Sequence, residues 1–328
     1  MFRRIAVTGS GAVAGSAVRA VSGEYADSEF IFMRSADCDL TDPARTLEFF
    51  AEHRPDAILH LAAVSGGIGL SADYHATMLR DNVLMGINVL DAARRLEVGK
   101  VVMTLTAGAY PPNAPLPLRE ASLHDGWPAD NNYGSSFAKR LLDPAVRAYR
   151  AQYGLAAVSL IPGGIFGEHD NFHEQHAPMV PTLIRRFFEH RDDNRPIVIW
   201  GDGTPRREYT FSHDIARIFL WALEHYDDEL PLNIGSTEEH SIAEIAGMLA
   251  DAFRVDRSRI VYDSAKPNGV FRRSTDNSRF IELSGFRYTP FAEGLRRTID
   301  WFCEVQRSAP QTLRTHGKAR DEGADAAA

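Results

Sequence analysis

The chain has 328 residues, of which 44% are hydrophobic and 24% are charged, and its formal net charge is −8. This balance is typical of a globular protein with a large core, and the negative charge argues against nucleic acid as its main partner. Two cysteines are too few for a disulfide framework, and no apolar run reaches the ~18 residues that a membrane span needs.

Short apolar runs alternate with amphipathic stretches in the first half of the chain. The predicted strands are 4–8, 30–33, 57–61, 100–105 and 157–162, and the clearest predicted helices between them are 73–96 and 132–153. This alternation predicts a Rossmann-type α/β fold, a doubly wound parallel sheet with helices on both faces. Residues 1–4 lead directly into the first strand without a signal peptide, so we expect a cytoplasmic protein.

A glycine-rich turn follows the first predicted strand and opens a helix. It fits either G-x-x-G-x-x-G, with Ala12 at the middle glycine and Gly15 at the last, or G-x-G-x-x-A ending at Ala14. Glycines let the backbone approach a pyrophosphate, whose charge the helix N-terminus stabilises. The alternative is a tight turn without a ligand. The predicted cofactor contacts in this turn are Gly9, Ser10, Gly11, Val13 and Ala14.

The end of the second predicted strand bears on the choice of cofactor. Met33 is followed by Arg34, and no carboxylate occurs before Asp37. An acidic residue here favours NAD, whereas a basic residue can pair with the 2′-phosphate of NADP. We therefore expect NADP, with NAD as the alternative if Arg34 is only a solvated surface residue.

The strand–helix alternation weakens after Pro162. Residues 162–164 and 167–178 are turn-rich and polar, as expected of a loop over a binding site. Beyond them we predict helices near 181–189, 214–226, 242–253 and 291–305 and a strand at 197–200. The predicted organisation is a mainly dinucleotide-binding domain over 1–162, a smaller interleaved C-terminal substrate-binding lobe over 163–307, and a disordered tail over 308–328.

The segment 132–140 closely resembles the signature of the short-chain dehydrogenase/reductases. In that family a tyrosine and a lysine lie four residues apart on one helix face; the phenol transfers a proton and the lysine lowers the phenol's pKa. Lys139 is present here, but Ser135 stands at the tyrosine position. A serine hydroxyl is far too weakly acidic to replace a phenol directly.

From about residue 4 to residue 302 the chain resembles the extended members of that family, of the NAD-dependent epimerase/dehydratase type, and among them the GDP-L-fucose synthases. The strings that carry the resemblance are Asp-Leu-Thr-Asp at 39–42, His-Leu-Ala-Ala at 60–63, and the segments 166–172 and 200–207. The resemblance implies that the partner is a GDP-linked sugar and that the protein is a homodimer.

The resemblance also implies site residues on both sides of the cleft. Further cofactor contacts would come from Asp39, Leu40, Leu61, Ala62, Ala63, Lys139 and Pro162. The nucleotide sugar would contact Asn171, Phe172, Arg186, Trp200, Arg207 and Arg273. Arginine suits a diphosphate because its planar fork donates two parallel hydrogen bonds. The alternative for each arginine is a solvated surface charge.

Several proton-handling positions depart from the family pattern. Thr106 keeps a hydroxyl at the catalytic serine position, but Gly108 replaces the cysteine that acts as an epimerisation base. Pro178 stands where the family has the histidine that partners this cysteine. Gly163 and Gly164 replace two side chains beside the sugar, which predicts a wider pocket.

Other residues could supply the missing chemistry. Tyr133 lies near the start of the helix, Tyr110 follows the Thr106 string, and His173 or His176 of the polar loop could act as an acid or base. The spacing of His169, His173 and His176 is metal-like but is not held on a predicted helix, so we expect no metal.

The leading hypothesis is an NAD(P)-dependent epimerase or oxidoreductase that acts on a GDP-sugar through Thr106, Ser135 and Lys139, without the ordinary fucose-synthase reaction. A catalytically silent nucleotide-sugar binder and a redox-neutral epimerase or dehydratase are the alternatives.

Overall fold

The computed structural model describes residues 2–67, 71, 73–174, 176–266 and 270–315. Five strands of the first half and one short strand of the second half form a six-stranded parallel sheet in the order β2-β1-β3-β4-β5-β9. These strands are β1 (Arg4–Thr8), β2 (Glu29–Met33), β3 (Ala57–His60), β4 (Lys100–Thr104), β5 (Ala157–Ile161) and β9 (Leu232–Asn233). The central strands are buried on both faces, as expected of apolar runs in a parallel sheet. The predicted Rossmann-type architecture is confirmed.

Helices cover both faces of this sheet. On one face α1 (Val13–Val21) packs against α6 (Ser212–His225), and their apolar sides meet the sheet in one core cluster. On the other face α2 (Pro43–His53), α3 (His75–Arg95) and α4 (Tyr133–Tyr153) form the second cluster. Strands β2 and β3 lie on opposite sides of β1, so the strand order reverses there. In parallel sheets, such a reversal leaves a crevice for a ligand at the carboxyl ends of the strands.

A smaller lobe rests on that end of the sheet. Its strands are β6 (Gly164–Phe166), β7 (Ile197–Trp200), β8 (Arg206–Phe211), β10 (Glu239–Ser241), β11 (Ile260–Asp263) and β12 (Arg272–Arg273). β8 lies between β10 and β12 and also pairs with β6, while β7 and β11 form a separate parallel pair. The helices of the lobe are α5 (Met179–His190), α7 (Ile242–Phe253), α8 (Ser278–Ser284) and α9 (Phe291–Ser308). Helices α5, α7 and α9 enclose a third apolar core, whereas the buried Phe280 of α8 belongs to the cluster that contains α1 and α6.

The beginning of the predicted tail is ordered. Helix α9 extends to Ser308, and a 3₁₀ turn follows at Pro310–Thr312. Leu313 is buried in the core of the lobe, and the carbonyl of Arg314 accepts a hydrogen bond of 2.8 Å from the N–H of Phe172. One apolar side chain and one backbone hydrogen bond therefore fix a segment whose composition predicts disorder. Residues 316–328 lie outside the described part of the chain.

No helix in the described ranges is long and apolar enough to cross a bilayer.

Candidate active site

The glycine-rich turn after β1 needs glycine at two positions and not at a third. Gly9 has a positive φ of 68°, and a Cβ there would lie 2.7 Å from the backbone of Ala62. A Cβ at Gly15 would lie 2.5 Å from the carbonyl oxygen of Gly9, whereas one at Gly11 would meet only the Arg34 side chain at 3.8 Å. Close backbone packing thus accounts for the glycines six residues apart.

Beneath this turn, a buried hydrogen-bond network ties the end of β1 to the end of β3. The hydroxyl of Thr8 accepts hydrogen bonds of 3.1 Å from the N–H groups of Leu61 and Ala62, and it lies 3.1 Å from Nδ1 of His60. With both lone pairs in use, Thr8 donates its proton to Nδ1, so Nε2 of His60 carries the ring proton. Burial lowers the pKa of His60 to about 3, so the ring is neutral.

A cavity of about 1060 Å³ opens beside the glycine turn. Arg34 lines it with an exposed guanidinium, 3.6 Å from the carboxylate of Asp37. Arg19 lines it too, with its guanidinium 3.8 Å from the centre of the Phe32 ring. The sequence pattern missed Arg19, because a lone arginine inside an amphipathic helix carries no signal. Asp37 and Glu52 also line this cavity, so the two guanidiniums are its phosphate-binding groups within a mixed charge environment.

The other predicted cofactor residues follow the carboxyl ends of the sheet strands. After β2, the carboxylate of Asp39 accepts hydrogen bonds from Thr41, and the Leu40 carbonyl accepts one of 2.9 Å from Asn88. After β5, the carbonyl of Pro162 accepts a bond of 3.0 Å from Ala107. Val13 and Ala14 begin α1, and Ala63 follows Ala62 beyond β3.

The first turns of α4 are fastened to the turn after β4. Ser136 donates to the carbonyl of Gly108 at 2.9 Å, and Arg140 donates to that of Ala109 at 3.0 Å. Within the turn, the hydroxyl of Thr106 accepts from the N–H of Gly108 at 3.1 Å. The structure therefore places Thr106 beside the helix that carries Ser135 and Lys139.

Lys139 is the most strongly perturbed base of this helix. Its side chain is 6% exposed, and burial lowers its pKa to about 8. Ser135 lies one helical turn earlier and is half-buried. An ammonium with a pKa near 8 exchanges its proton close to neutral pH, which suits proton transfer.

The two tyrosines suggested as replacement acids lie in different environments. Tyr110 is buried and donates to the side-chain oxygen of Asn233 at 2.8 Å, so it cannot reach a sugar in this conformation. Tyr133 is 39% exposed and stacks on His75 at 4.2 Å between ring centres. It lies on a different face of α4 from Lys139, because six residues separate them along the helix.

The polar loop lies against the glycines after β3. The rings of His173 and His176 are 4.8 Å apart, and the carbonyl of His176 accepts a bond of 2.7 Å from Gly67. Among the described residues, no three His, Cys, Asp or Glu side chains are grouped to hold a metal.

Two arginines form an isolated pair on the sheet of the smaller lobe. Arg207 of β8 and Arg273 of β12 are register partners, and both are half-buried. Neither forms an ion pair with a carboxylate of the described ranges. Burial lowers the pKa of both guanidiniums, and the charge of Arg207 lowers that of Arg273 further. The two like charges repel each other, and an anion bound to both guanidiniums would offset that repulsion.

Arg186 and Trp200 lie together at the neighbouring strand pair. Arg186 of α5 donates to the carbonyl of Val198 in β7, and burial lowers the pKa of its guanidinium. Trp200 at the end of β7 is 62% exposed, with the ammonium of Lys266 5.5 Å from its ring centre. An exposed indole beside cations is suited to stack on a planar base. Arg273 is within the described ranges, but residues 267–269, which precede it, lie outside them.

Two expectations for the sugar side are wrong. Phe172 does not line the cleft, because it is fully buried against Phe302 in the core of the lobe. Gly163 and Gly164 do not widen the pocket: a Cβ at Gly163 would overlap the Glu208 carboxylate, and one at Gly164 would lie 2.5 Å from the ring of Tyr209. The space of the missing side chains is already filled.

The remaining substrate candidate on the polar loop, Asn171, is almost fully buried. Its side-chain oxygen accepts a hydrogen bond of 3.0 Å from the N–H of His173, so it shapes the loop.

The pattern of the NAD dependent epimerase/dehydratase family matches residues 5–235. The GDP-L-fucose synthase of Dictyostelium discoideum is 30% identical over 312 residues, covering 94% of this chain and 97% of that protein. A probable GDP-L-fucose synthase of Drosophila melanogaster is 31% identical and covers 92% of this chain and 98% of its own. A crystal structure of a GDP-L-fucose synthetase from Naegleria fowleri bound to NADP superimposes with a TM-score of 0.87 at 30% identity, over 94% and 96% of the two chains.

Proposed function

Because the chain belongs to the NAD dependent epimerase/dehydratase family, we propose that it is an NADP-dependent enzyme that epimerises or reduces a GDP-linked sugar by a reaction other than standard GDP-L-fucose synthesis. The relatives at about 30% identity support the substrate class, since they are named as GDP-L-fucose synthases.

The Arg207–Arg273 pair is the observation that carries this proposal. A nucleoside diphosphate is the anion that fits two adjacent guanidiniums, because each phosphate group can accept a bidentate hydrogen bond. Arg186 and the exposed face of Trp200 supply a further cation and a stacking surface on the neighbouring strands. Together they suit a diphosphate attached to a flat base.

The residues around the glycine turn fit NADP. Gly9 and Gly15 allow the turn to pack closely against neighbouring backbone. The cavity lined by Arg34 and Arg19 can take a 2′-phosphate. A bound nicotinamide would accept or supply the hydride. The protein would hold the sugar oxygen near Thr106 and transfer the proton of that oxygen. Lys139 is suited to this transfer because its pKa is lowered to about 8.

The absence of the usual acid and base determines which reaction is proposed. The standard reaction needs a phenol at position 135 and a proton-transferring pair at positions 108 and 178, which here are Ser135, Gly108 and Pro178. A transient oxidation and reduction at one sugar carbon needs only one proton relay. Ser135 can carry that proton through water to Lys139.

A catalytically silent nucleotide-sugar binder is the second candidate, favoured by the same three substitutions. One experiment separates the two. The protein is incubated with NADP(H) and a panel of GDP-hexoses in deuterated water, and the sugars are examined by NMR. Stereoinversion or deuterium incorporation that disappears in Lys139→Ala supports the enzyme, whereas tight binding without turnover supports the binder.

Calorimetry with GDP, UDP, ADP and dTDP tests the substrate class separately. GDP should bind best, and Arg207→Ala should weaken it at least tenfold, because a charge-assisted hydrogen bond is worth ~1.4 kcal/mol or more. Arg206→Ala is the matched control, since Arg206 is the preceding residue on the other face of β8 and pairs with Glu244 at 3.4 Å. Tighter binding of UDP or dTDP would refute the GDP assignment.

A further inference from the structure

The cavity beside the glycine turn receives one side chain from the smaller lobe. His169 lies three residues beyond β6 and lines this cavity, whose other lining residues, such as Gly11 and Ser16, lie within 10–53. β6 packs against α1, where Ile165 shares an apolar cluster with Ala17. The chain that leaves β6 therefore passes the beginning of α1, and His169 enters the cavity from that side.

The backbone of His169 has an unusual conformation. Its φ is 60°, in the left-handed region that residues other than glycine seldom adopt. The other described non-glycine residues with a positive φ, Arg54, Glu97 and Arg254, follow the last turn of a helix, where this conformation is common. His169 follows a strand instead. Residues in such conformations cluster at ligand-binding and active sites, which indicates a role for this one.

The ring of His169 is supported on one side, while its nitrogens have no partner in the described part of the chain. The ring packs against Trp301 of α9 with 4.6 Å between the ring centres. The side chain as a whole is exposed, so solvent or a ligand in the cavity can reach it. An imidazole donates from one nitrogen when it is neutral and from both when it is protonated. His169 can therefore donate a hydrogen bond to an oxygen atom in the cavity.

The carboxylate next to His169 in the sequence is directed to cations outside the cavity. Glu168 lies 3.4 Å from Nε2 of His213 and 3.9 Å from the guanidinium of Arg297, neither of which lines the cavity. Its hydrogen bond with His213 holds the pKa of Glu168 below the usual range. The negative charge of Glu168 is therefore offset by these partners, and an anion can approach His169.

The chemistry of the surrounding side chains indicates which anion this is. Arg34 packs beside Gly11, and Arg19 of α1 lines the same cavity. In a dinucleotide, the pyrophosphate binds the backbone N–H groups at the beginning of the first helix. The phosphate that remains for side chains next to the turn is the 2′-phosphate on the adenosine ribose, which NADP carries and NAD lacks.

We infer that His169 donates a hydrogen bond to the 2′-phosphate of NADP. Arg34 and Arg19 would bind this phosphate from the dinucleotide-binding half and His169 from the smaller lobe, so the two lobes would share one ligand group. His169 would thus contribute to the preference for NADP over NAD. The inference rests on the proposed NADP dependence.

His169→Gly is the first test, because it removes the ring and glycine adopts a positive φ without strain. Fluorescence titration measures the affinities for NADPH and NADH, and calorimetry measures those for 2′,5′-ADP and 5′-AMP. We expect the affinities for NADPH and 2′,5′-ADP to fall roughly tenfold, as for the loss of a hydrogen bond to a charged group, and those for NADH and 5′-AMP to stay unchanged.

Two further variants separate a phosphate contact from a structural effect. His169→Gln keeps a hydrogen-bond donor, so it should retain more of the NADPH affinity than His169→Gly. His225→Ala is the control, because His225 of α6 is an exposed histidine that does not line the cavity. It should leave all four affinities unchanged.

The outcomes distinguish the inference from the proposed function. If the unmutated protein binds NADPH no more tightly than NADH, the NADP assignment and the inference are both overturned. If it prefers NADPH and His169→Gly keeps that preference, the inference alone is overturned. An equal loss for NADPH and NADH overturns it too, because His169 would then support the loop or contact the pyrophosphate.

Discussion

Lys139 is the buried residue to which the proposed function assigns the proton transfer, because a serine stands at position 135. Its pKa falls to about 8 because burial disfavours the ammonium form. At physiological pH it therefore still holds its proton, yet it loses that proton within the range where enzymes are assayed. Ser135 has no such property, so the pH dependence of the reaction should be set by Lys139.

We predict a break near pH 8 in the rate of sugar reduction. The protonated form of Lys139 is needed to deliver a proton, so the rate should fall as the pH rises above about 8, and the reverse oxidation should accelerate over the same range. Initial rates from pH 6 to 10 measure this. In Lys139→Arg the guanidinium stays charged, so any remaining activity should show no break. A flat profile in the unmutated protein contradicts the assignment.

Arg34 should determine the choice of dinucleotide. NADPH should bind more tightly than NADH, and Arg34→Ala should reduce the difference by removing a charge-assisted contact worth ~1–2 kcal/mol. Fluorescence titration with both dinucleotides provides the measurement. Arg19→Ala tests the second guanidinium of the same cavity in the same titration. Equal affinities in the unmutated protein would remove the basis for the NADP assignment.

At the scale of elements, the first turn of α4 carries most of what distinguishes this site. Ser136 of the first turn and Arg140 of the second bind carbonyls of the turn after β4, and Tyr133 of the first turn stacks on His75. Ser135 thus lies on a helix held at a fixed distance from Thr106.

Ser135→Tyr should impair the enzyme and not restore it. A phenol would fill space that substrate or water uses in the proposed reaction, and Gly108 and Pro178 would still lack side chains that transfer protons. The NMR assay with the GDP-sugar panel is the measurement, and Ser135→Thr is the control that keeps the hydroxyl. A gain of the fucose-synthase reaction in Ser135→Tyr contradicts the proposal.

Elements were predictable where local pattern and burial agree. The helix over 242–253 and the strand over 197–200 have the predicted bounds, because each is an apolar run with clear ends. The short strands β9 and β12 were not predicted, since two residues give no periodicity and their pairing depends on distant partners.

The sequence predicted the site residues correctly where a motif determines the backbone conformation. It failed where the position of a side chain depends on neighbours that are distant in the sequence. Gly9 and Gly15 meet the packing that their spacing implies. Phe172 was misassigned, because an aromatic residue in a loop string carries no sign of which way it points. The Gly163 and Gly164 prediction failed because Glu208 and Tyr209 come from a strand more than forty residues away.

At the scale of the whole molecule, two buried carboxyls set an unusual dependence of stability on pH. Burial raises the pKa of Asp170 and of Glu208 to about 7. In the unfolded chain both titrate near pH 4. Between those values the folded state binds more protons, so the contribution of these groups to stability falls as the pH rises from about 4 to about 7.

Asp170→Asn should remove part of that decline. The free energy of unfolding of the variant minus that of the unmutated protein should therefore be larger at pH 8 than at pH 5, which means that the variant is relatively more stable at pH 8. Urea unfolding at pH 5, 6.5 and 8 measures this, and Asp192→Asn serves as the control because Asp192 is exposed. A difference that does not change with pH would show that Asp170 is ionised in the folded protein throughout.

The placement of Glu208 has a consequence for how the sequence can change. Its carboxylate fills the space of the side chains that Gly163 and Gly235 lack, and Thr275 holds both of its oxygens, the hydroxyl at 2.6 Å and the N–H at 2.8 Å. A substitution at any of these positions alone leaves a steric overlap or an unpaired buried group, whereas a matched set can be accommodated. These positions are therefore epistatic: Gly163 should be replaceable only together with a shorter residue at position 208, and directed evolution of this buried cluster should sample the positions jointly.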